Sequence, residues 1–112
     1  MKKPVQYRIA EILKAKSETL SAAESCTGGY ISHLVTMVSG SSSYYLGSVT
    51  SYAIKIKERV LGVPAETIDK NGVVSSEVAA AMAEGVRALT GSTWSVATTG
   101  LAEGGDERYP EG

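Results

Sequence analysis

The stretch AESCTGGY, residues 23–30, joins a short run of small apolar residues to two consecutive glycines. The residues up to Glu24, LSAAE, have the length of a buried strand, whereas GGYISHLVTMV (28–38) has the apolar spacing of a helix. Residues 25–29 therefore predict a strand-to-helix turn in an α/β protein. In open α/β sheets, turns of this kind lie where ligands bind.

The rest of the chain continues this alternation of helices and strands. Apolar residues at helical spacing and runs of aromatic or β-branched residues indicate the remaining elements. They are a helix ending near Lys16, a strand in YYLGSVTSY (44–52), a short helical segment in AIKIKERVLG (53–62), a long helix from a Ser75 cap to Thr90 and Gly91, and a strand in STWSVATT (92–99). The alternation predicts a layered α/β fold with a largely parallel sheet.

Length and charge limit the classes of partner. The chain has 112 residues, which predicts a single domain over residues 1–112. Eleven Lys and Arg against 12 Asp and Glu give a net charge of −1, without the basic excess typical of proteins that bind nucleic acid or an anionic membrane. We therefore expect a small-molecule partner. The sequence leaves the oligomeric state open, a homo-oligomer included.

The cysteine and histidine counts argue against a disulfide or a zinc site. One cysteine cannot form an internal disulfide, and one histidine beside it leaves too few soft ligands for zinc. The first 20 residues are charged and helix-like, and no stretch approaches the ~20 apolar residues of a membrane span. The sequence predicts a soluble, cytoplasmic protein without a metal.

Serine with lysine is the nucleophile system that these residues favour. His33 falls on the helix side opposite the apolar face, which argues against a Ser-His-Asp triad. A serine can instead be activated by a neutral, buried lysine, directly or through a tyrosine. Ser25, Tyr52 and either Lys55 or Lys57 supply these groups. Two residues apart on a helix, the lysines point about 200° apart, so only one faces the site, and spacing does not decide which.

Two polar turns follow predicted strands. They consist of Thr27, Gly28 and Gly29 after the first strand, and of Thr98, Thr99 and Gly100 after the third. Backbone N–H groups of the first turn, at a helix N-terminus, could bind a phosphate or stabilise an oxyanion. In a parallel sheet both turns open on the same edge, which predicts a shared pocket.

Each candidate also has an ordinary structural interpretation. Ser25 before Thr-Gly-Gly is typical of a helix cap and a tight turn. Cys26 fits a small buried residue with no neighbour to lower its pKa. Lys55 and Lys57 fit solvated helix charges, and Tyr52 fits a core residue with a bonded hydroxyl. The residues alone establish an α/β domain with a candidate hydroxyl site.

Several motifs in fixed order make the chain resemble one known family. They are AESCTGG, GSSSYYLGSVTSYAIKIKERVLGVPAETI, NGVVSSEVAAAMAEGVRALTG and ATTGLA. In this order they resemble the C-terminal domain of the CinA family, the nicotinamide-nucleotide amidohydrolases, across residues 5–102. The combination is far more specific than any single motif.

The resemblance implies a fold, an activity and a set of site residues. The fold is an α/β/α sandwich, and the activity is hydrolysis of nicotinamide mononucleotide to nicotinate mononucleotide and ammonia in pyridine-nucleotide salvage, without a metal or cofactor. The serine of the family's ESCTGG motif falls on Ser25, and its tyrosine falls on Tyr52. Its lysine, five residues after that tyrosine, falls on Lys57 and not on Lys55.

The sequence departs from the family pattern at its end. Where the family has TGIAGP, this chain has TGLAEG from Thr99 to Gly104, which lacks the proline and introduces Glu103. The resemblance also implies a further strand and helix after residue 112, so the 112 residues are expected to be either a fragment of the domain or a shortened member of the family with altered activity. These departures keep a second function open, a non-catalytic nucleotide-binding module.

Overall fold

The structure, a computed structural model, describes residues 3–100. Helices and strands alternate along this part of the chain. They are α1 (Val5–Lys16), β1 (Leu20–Glu24), α2 (Tyr30–Thr36), a 3-10 turn (Ser41–Ser43), β2 (Tyr45–Thr50), α3 (Ile54–Arg59), α4 (Ala65–Asn71), α5 (Ser76–Thr90) and β3 (Trp94–Ala97). The predicted helices and strands are confirmed, including the cap of α5, where Ser75 accepts a hydrogen bond from the Val78 N–H at 3.2 Å.

The three strands form a parallel sheet in the order β2-β1-β3. All five residues of the central strand β1 are buried, as the run of small apolar residues predicts. Because both neighbours run parallel to β1, the carboxyl ends of all three strands meet at one edge of the sheet. That edge is where a ligand site is expected.

Helices cover both faces of the sheet and create two apolar cores. Alternate residues of β1 point to opposite faces. Leu20 and Ala22 join the core beneath α1 and α2, whereas Ala23 joins the core beneath α4 and α5. The molecule is thus a three-layer α/β/α arrangement, and the α/β fold class is confirmed.

Helix α4 was not predicted from the sequence. Only seven residues long, it begins directly after Pro64, which occupies its N-cap position, and it buries Ile68 against the core beneath α5. Two apolar residues, Ala65 and Ile68, are too few to show a helical periodicity. Proline followed by Glu66 in the first turn is the signal that could have indicated a helix start.

An open apolar groove lies beside β3, on the face of the sheet that α1 and α2 cover. It has a volume of about 410 Å³ and is lined by side chains of α1, α2 and β3. Leu20 and Trp94, at the amino ends of β1 and β3, form part of its wall, together with Val96 of β3 and with Ile31 and Val35 of α2. It contains none of the predicted site residues. Within residues 3–100, no helix is long and apolar enough to cross a membrane.

Candidate active site

Backbone hydrogen bonds extend the sheet ladder past the strand ends and hold the two polar turns together. The Ser51 N–H donates to the Glu24 carbonyl at 2.7 Å, just beyond β2. The Thr98 N–H donates to the Ala23 carbonyl at 3.0 Å, just beyond β3. These bonds place Ser25, Ser51 and Thr98 at one edge of the sheet.

Ser25 and Lys57 are brought into direct contact at this edge. The Lys57 Nζ donates to the Ser25 Oγ at 3.1 Å, although 32 residues separate them in sequence. The same amine donates to the Ser51 carbonyl at 2.6 Å and to the Tyr52 carbonyl at 3.3 Å. Ser25 is 3% exposed and Lys57 is 1% exposed. The structure thus builds a buried serine–lysine pair.

Burial weakens the hold of Lys57 on its proton. Removing the amine from water disfavours its charged form, and this desolvation lowers the pKa of Lys57. Three hydrogen-bond partners hold the amine despite its burial. Lys55, two residues away on α3, is exposed to solvent. Of the two lysines that the helix geometry left open, Lys57 is the one that faces Ser25.

The structure does not bring the Tyr52 phenol to the pair. Its side chain is 67% exposed, so the interpretation of Tyr52 as a core residue is wrong. The residue contacts Lys57 through its backbone carbonyl. That the Tyr52 hydroxyl takes part in proton transfer stays a prediction.

A residue that the sequence analysis did not single out organises the turn after β1. The Glu24 carboxylate is fully buried and accepts a hydrogen bond from the Thr27 Oγ1 at 2.8 Å. It also accepts from the N–H groups of Ile31 at 2.7 Å and Ser32 at 3.1 Å, in the first turn of α2. Ser25 is therefore not the cap of α2. An acidic residue at the end of a buried strand needs such partners, and that was the signal in the sequence.

The glycines of the first turn adopt conformations that few other residues tolerate. Gly28 has a φ of 62° and Gly29 a φ of 106°. The Gly28 N–H donates to the Ser25 carbonyl at 3.1 Å and so closes the turn. Within residues 3–100, no acceptor contacts the N–H groups of Thr27 and Gly29. These two groups are the donors that the turn can offer to a ligand.

The residues of the second polar turn have different surroundings. The Thr98 Oγ1 is 3.1 Å from the Thr27 Oγ1, whereas the Thr99 Oγ1 donates to the Val73 carbonyl at 2.8 Å. Gly100 packs on Cys26, since a Cβ at this position would be 3.1 Å from the cysteine Sγ. The altered part of this loop, Leu101, Ala102, Glu103 and Gly104, lies outside the described residues.

The single cysteine and histidine are separate from the serine–lysine contact. Cys26 is half-buried. The charge of Cys26 acts on Lys57, whose pKa it raises, and so partly opposes the effect of burial. His33 is exposed and stacks on Tyr30, as its place on the outer helix side predicts. In the described part of the chain, no three His, Cys, Asp or Glu side chains are grouped as metal ligands.

Comparison with known proteins places this geometry in one family. The model of the CinA C-terminal domain matches residues 2–112. Similar curated proteins include a CinA-like protein of Cytophaga hutchinsonii, 46% identical over 110 residues, which are 96% of this chain and 26% of the relative. A putative competence-damage inducible protein of Desulforudis audaxviator is 47% identical over 106 residues, 93% of this chain and 26% of the relative. The chain spans about a quarter of the length of these curated relatives.

Solved structures lead to the same family. The competence damage-inducible protein A of Klebsiella pneumoniae has a TM-score of 0.89 and 31% identity, covering 96% of this chain and 68% of its own. The competence/damage inducible protein CihA of Agrobacterium tumefaciens has a TM-score of 0.89 and 34% identity, covering 95% and 66%. Because the family model spans nearly the whole sequence and these folds agree, the chain belongs to the CinA C-terminal domain family.

Proposed function

We propose that the chain is an amidohydrolase that converts nicotinamide mononucleotide and water to nicotinate mononucleotide and ammonia. The observation that carries this proposal is the 3.1 Å contact between the Ser25 Oγ and the buried Lys57 Nζ. A serine hydroxyl is a weak nucleophile until a neighbouring base takes its proton. The contact supplies that base within hydrogen-bonding distance.

The surroundings of Lys57 suit it to act as the base. A neutral amine has two N–H donors and one lone pair. When the amine is neutral, the carbonyls of Ser51 and Tyr52 accept its two donors. The contact with Ser25, in which the charged amine donates, then reverses, so that the lone pair accepts from the Ser25 hydroxyl. Burial lowers the pKa of Lys57, so a larger fraction of the amine is neutral near neutral pH than in an exposed lysine. A catalytic base works best when its pKa lies near the working pH.

The proposed reaction has two halves. The Ser25 Oγ bonds to the amide carbon while its proton moves to Lys57. The carbon–nitrogen bond then breaks, and Lys57 returns the proton to the leaving nitrogen, which departs as ammonia. In the second half, Lys57 takes a proton from water as the water oxygen attacks the ester carbon, and it gives that proton back to the Ser25 Oγ as the ester bond breaks. The acid that is released then gives its remaining proton to solvent and becomes the carboxylate.

The negative charge that develops on the amide oxygen needs hydrogen-bond donors. The N–H groups of Thr27 and Gly29 are the candidates, since the Gly28 N–H already serves the Ser25 carbonyl. Fixed donors at such a position strengthen as charge develops and need no rearrangement. The N–H groups of Ile31 and Ser32 bind the Glu24 carboxylate, so a substrate phosphate would have to find other donors.

Tyr52 enters this proposal through the family resemblance. Lys57 already reaches Ser25, so proton transfer does not depend on the phenol. Contacts at an active site often tighten only when substrate binds. The exposed Tyr52 side chain joins the pair if it turns toward Ser25 in the complex.

The alternative function is a non-catalytic nucleotide-binding module that uses the same turns. Ammonia release from nicotinamide mononucleotide, measured beside a binding titration, separates the two functions. We expect release by the wild-type chain, and binding without release by Ser25→Ala. Binding without release by the wild-type chain would establish the alternative, and a chain that neither binds nor reacts would overturn both.

Substitution of Cys26 tests which neighbouring side chain is the nucleophile. We expect Cys26→Ala to change kcat by less than about tenfold, because the hydroxyl of Ser25 and not the thiol is bonded to Lys57. Steady-state ammonia release measures the effect, with circular dichroism to establish that the variant is folded. Loss of turnover in a folded Cys26→Ala variant would assign the attack to the thiol.

A further inference from the structure

Three side chains at the carboxyl edge form a hydrogen-bonded chain whose direction is determined. The Thr27 Oγ1 donates to the Glu24 Oε1 at 2.8 Å. The same Thr27 oxygen is 3.1 Å from the Thr98 Oγ1. A hydroxyl has one hydrogen to donate and two lone pairs to accept with. Because Thr27 gives its hydrogen to the carboxylate, Thr98 must be the donor in the second bond.

Because Thr98 donates its hydroxyl hydrogen to Thr27, its oxygen can only accept a hydrogen bond from a ligand. Its hydrogen points to Thr27, so toward the site its oxygen presents only lone pairs. Glu24 does not reverse the direction of these hydrogen bonds, since its two oxygens also accept from the Ile31 and Ser32 N–H groups. Turning the Thr98 hydrogen toward a ligand would therefore cost its bond to Thr27.

Thr98 lies at the same edge of the sheet as the proposed nucleophile. Its N–H binds the carbonyl of Ala23, two residues before Ser25, so it lies directly beside the turn that carries the nucleophile. Its side chain is half-buried, which leaves part of it open to a ligand. An acceptor at this position matches an amide –NH₂ and does not match a carboxylate, which has no hydrogen to donate.

We propose that Thr98 selects for the carboxamide of the substrate over the carboxylate of the product, by accepting a hydrogen bond from the –NH₂ group. The inference rests on the proposed amidohydrolase function and names the specificity-determining group of that site. A polar site matched to a substrate N–H discriminates strongly against an analogue that lacks it, because the buried partner is then left unpaired. The same contact orients the nitrogen that leaves and favours release of the acid.

The test compares the affinity of the site for amide and acid in the absence of turnover. Nicotinamide mononucleotide and nicotinate mononucleotide are titrated separately into Ser25→Ala, and into the same variant with Thr98→Val, Thr98→Ala or Thr98→Ser. We expect Thr98→Val and Thr98→Ala to lower the preference for the amide about five- to tenfold, the scale of one hydrogen bond. Thr98→Ser keeps the hydroxyl and should keep the preference.

The outcomes distinguish this inference from the proposed function. An unchanged preference in both Thr98→Val and Thr98→Ala overturns the role of Thr98, even if the wild-type chain releases ammonia. Loss of the preference in Thr98→Ser as well would also overturn it, because the hydroxyl would then not be the discriminating group. Failure of the wild-type chain to release ammonia overturns the proposed function, and failure of Ser25→Ala to bind either nucleotide overturns both.

Discussion

Gly85→Ala is expected to destabilise the fold by about 2 kcal/mol or more, the range for forcing atoms into a packed core. Gly85 lies within α5, where that helix crosses the segment after α3. A Cβ at this position would be 1.9 Å from the Leu61 carbonyl oxygen and 2.8 Å from its carbonyl carbon. Both are backbone atoms, so no side chain can rotate to relieve the clash.

The direction of the stability change is informative, because replacing glycine by alanine in an unobstructed helix stabilises the protein. Glycine in a helix interior is about 1 kcal/mol less favourable than alanine. Equilibrium denaturation with urea would measure the free energy of unfolding. Glu84→Ala, at the exposed neighbouring position, is the control and should change stability by no more than about 0.5 kcal/mol. A gain in stability in Gly85→Ala would mean that α5 does not approach Leu61 so closely.

The close approach of Gly85 to the Leu61 backbone also affects the position of Lys57 in the candidate site. Leu61 is four residues after Lys57, and the Val63 N–H donates to the Lys57 carbonyl at 3.0 Å. The segment against which Gly85 packs is therefore anchored to the end of α3. A helix α5 held further away would remove support from the residue that contacts Ser25. We expect Gly85→Ala to lower ammonia release at temperatures where the variant is still folded.

Local sequence patterns were sufficient for most of the fold. The small apolar residues of LSAAE predict a buried strand because such a strand packs on both faces, and β1 is the central strand of the sheet. Repeated apolar spacing predicts α5 because its buried residues recur at helical intervals. Helix α4 escaped detection because two turns carry too few apolar residues to define a period.

The candidate site was harder to predict from the sequence than the fold, since its contacts join residues that are far apart in sequence. Choosing between Lys55 and Lys57 depends on the direction in which α3 crosses the sheet edge, and spacing along the helix does not contain that direction. The family resemblance supplied the choice, and the contact at Ser25 agrees with it. The sequence analysis treated Glu24 only as the last residue of a strand. Its role at the start of α2 was not predicted, because its hydrogen-bond partners lie up to eight residues away in that helix.

Lys57→Ala is expected to lower kcat by at least about 10²-fold, the scale of losing a general base, with nucleotide binding nearly unchanged. The amine is the group that receives the Ser25 proton, and no other lysine is buried at this edge within the described residues. Lys57→Met is a second variant that fills nearly the same volume without an amine. Lys55→Ala removes an exposed lysine of the same helix and is the matched control, with little expected effect.

The pH dependence of kcat/KM tests the same assignment by an independent measurement. Burial lowers the pKa of Lys57, and only the neutral amine can accept the Ser25 proton. The rate should therefore rise with pH through the apparent pKa of the serine–lysine pair, and this limb should lie below the ordinary range of lysine. In Lys57→Ala and Lys57→Met the limb should disappear from the residual activity. Lys55→Ala should keep it unchanged.

Two results would contradict the assignment of Lys57. If Lys55→Ala abolished turnover while Lys57→Ala retained it, the wrong lysine of α3 would have been assigned as the base. If both Lys57 variants lost turnover but the residual rate kept the wild-type rise with pH, Lys57 would position Ser25 without taking its proton. In that case a different group takes the proton, and Tyr52, whose backbone carbonyl contacts Lys57, is the residue to substitute next.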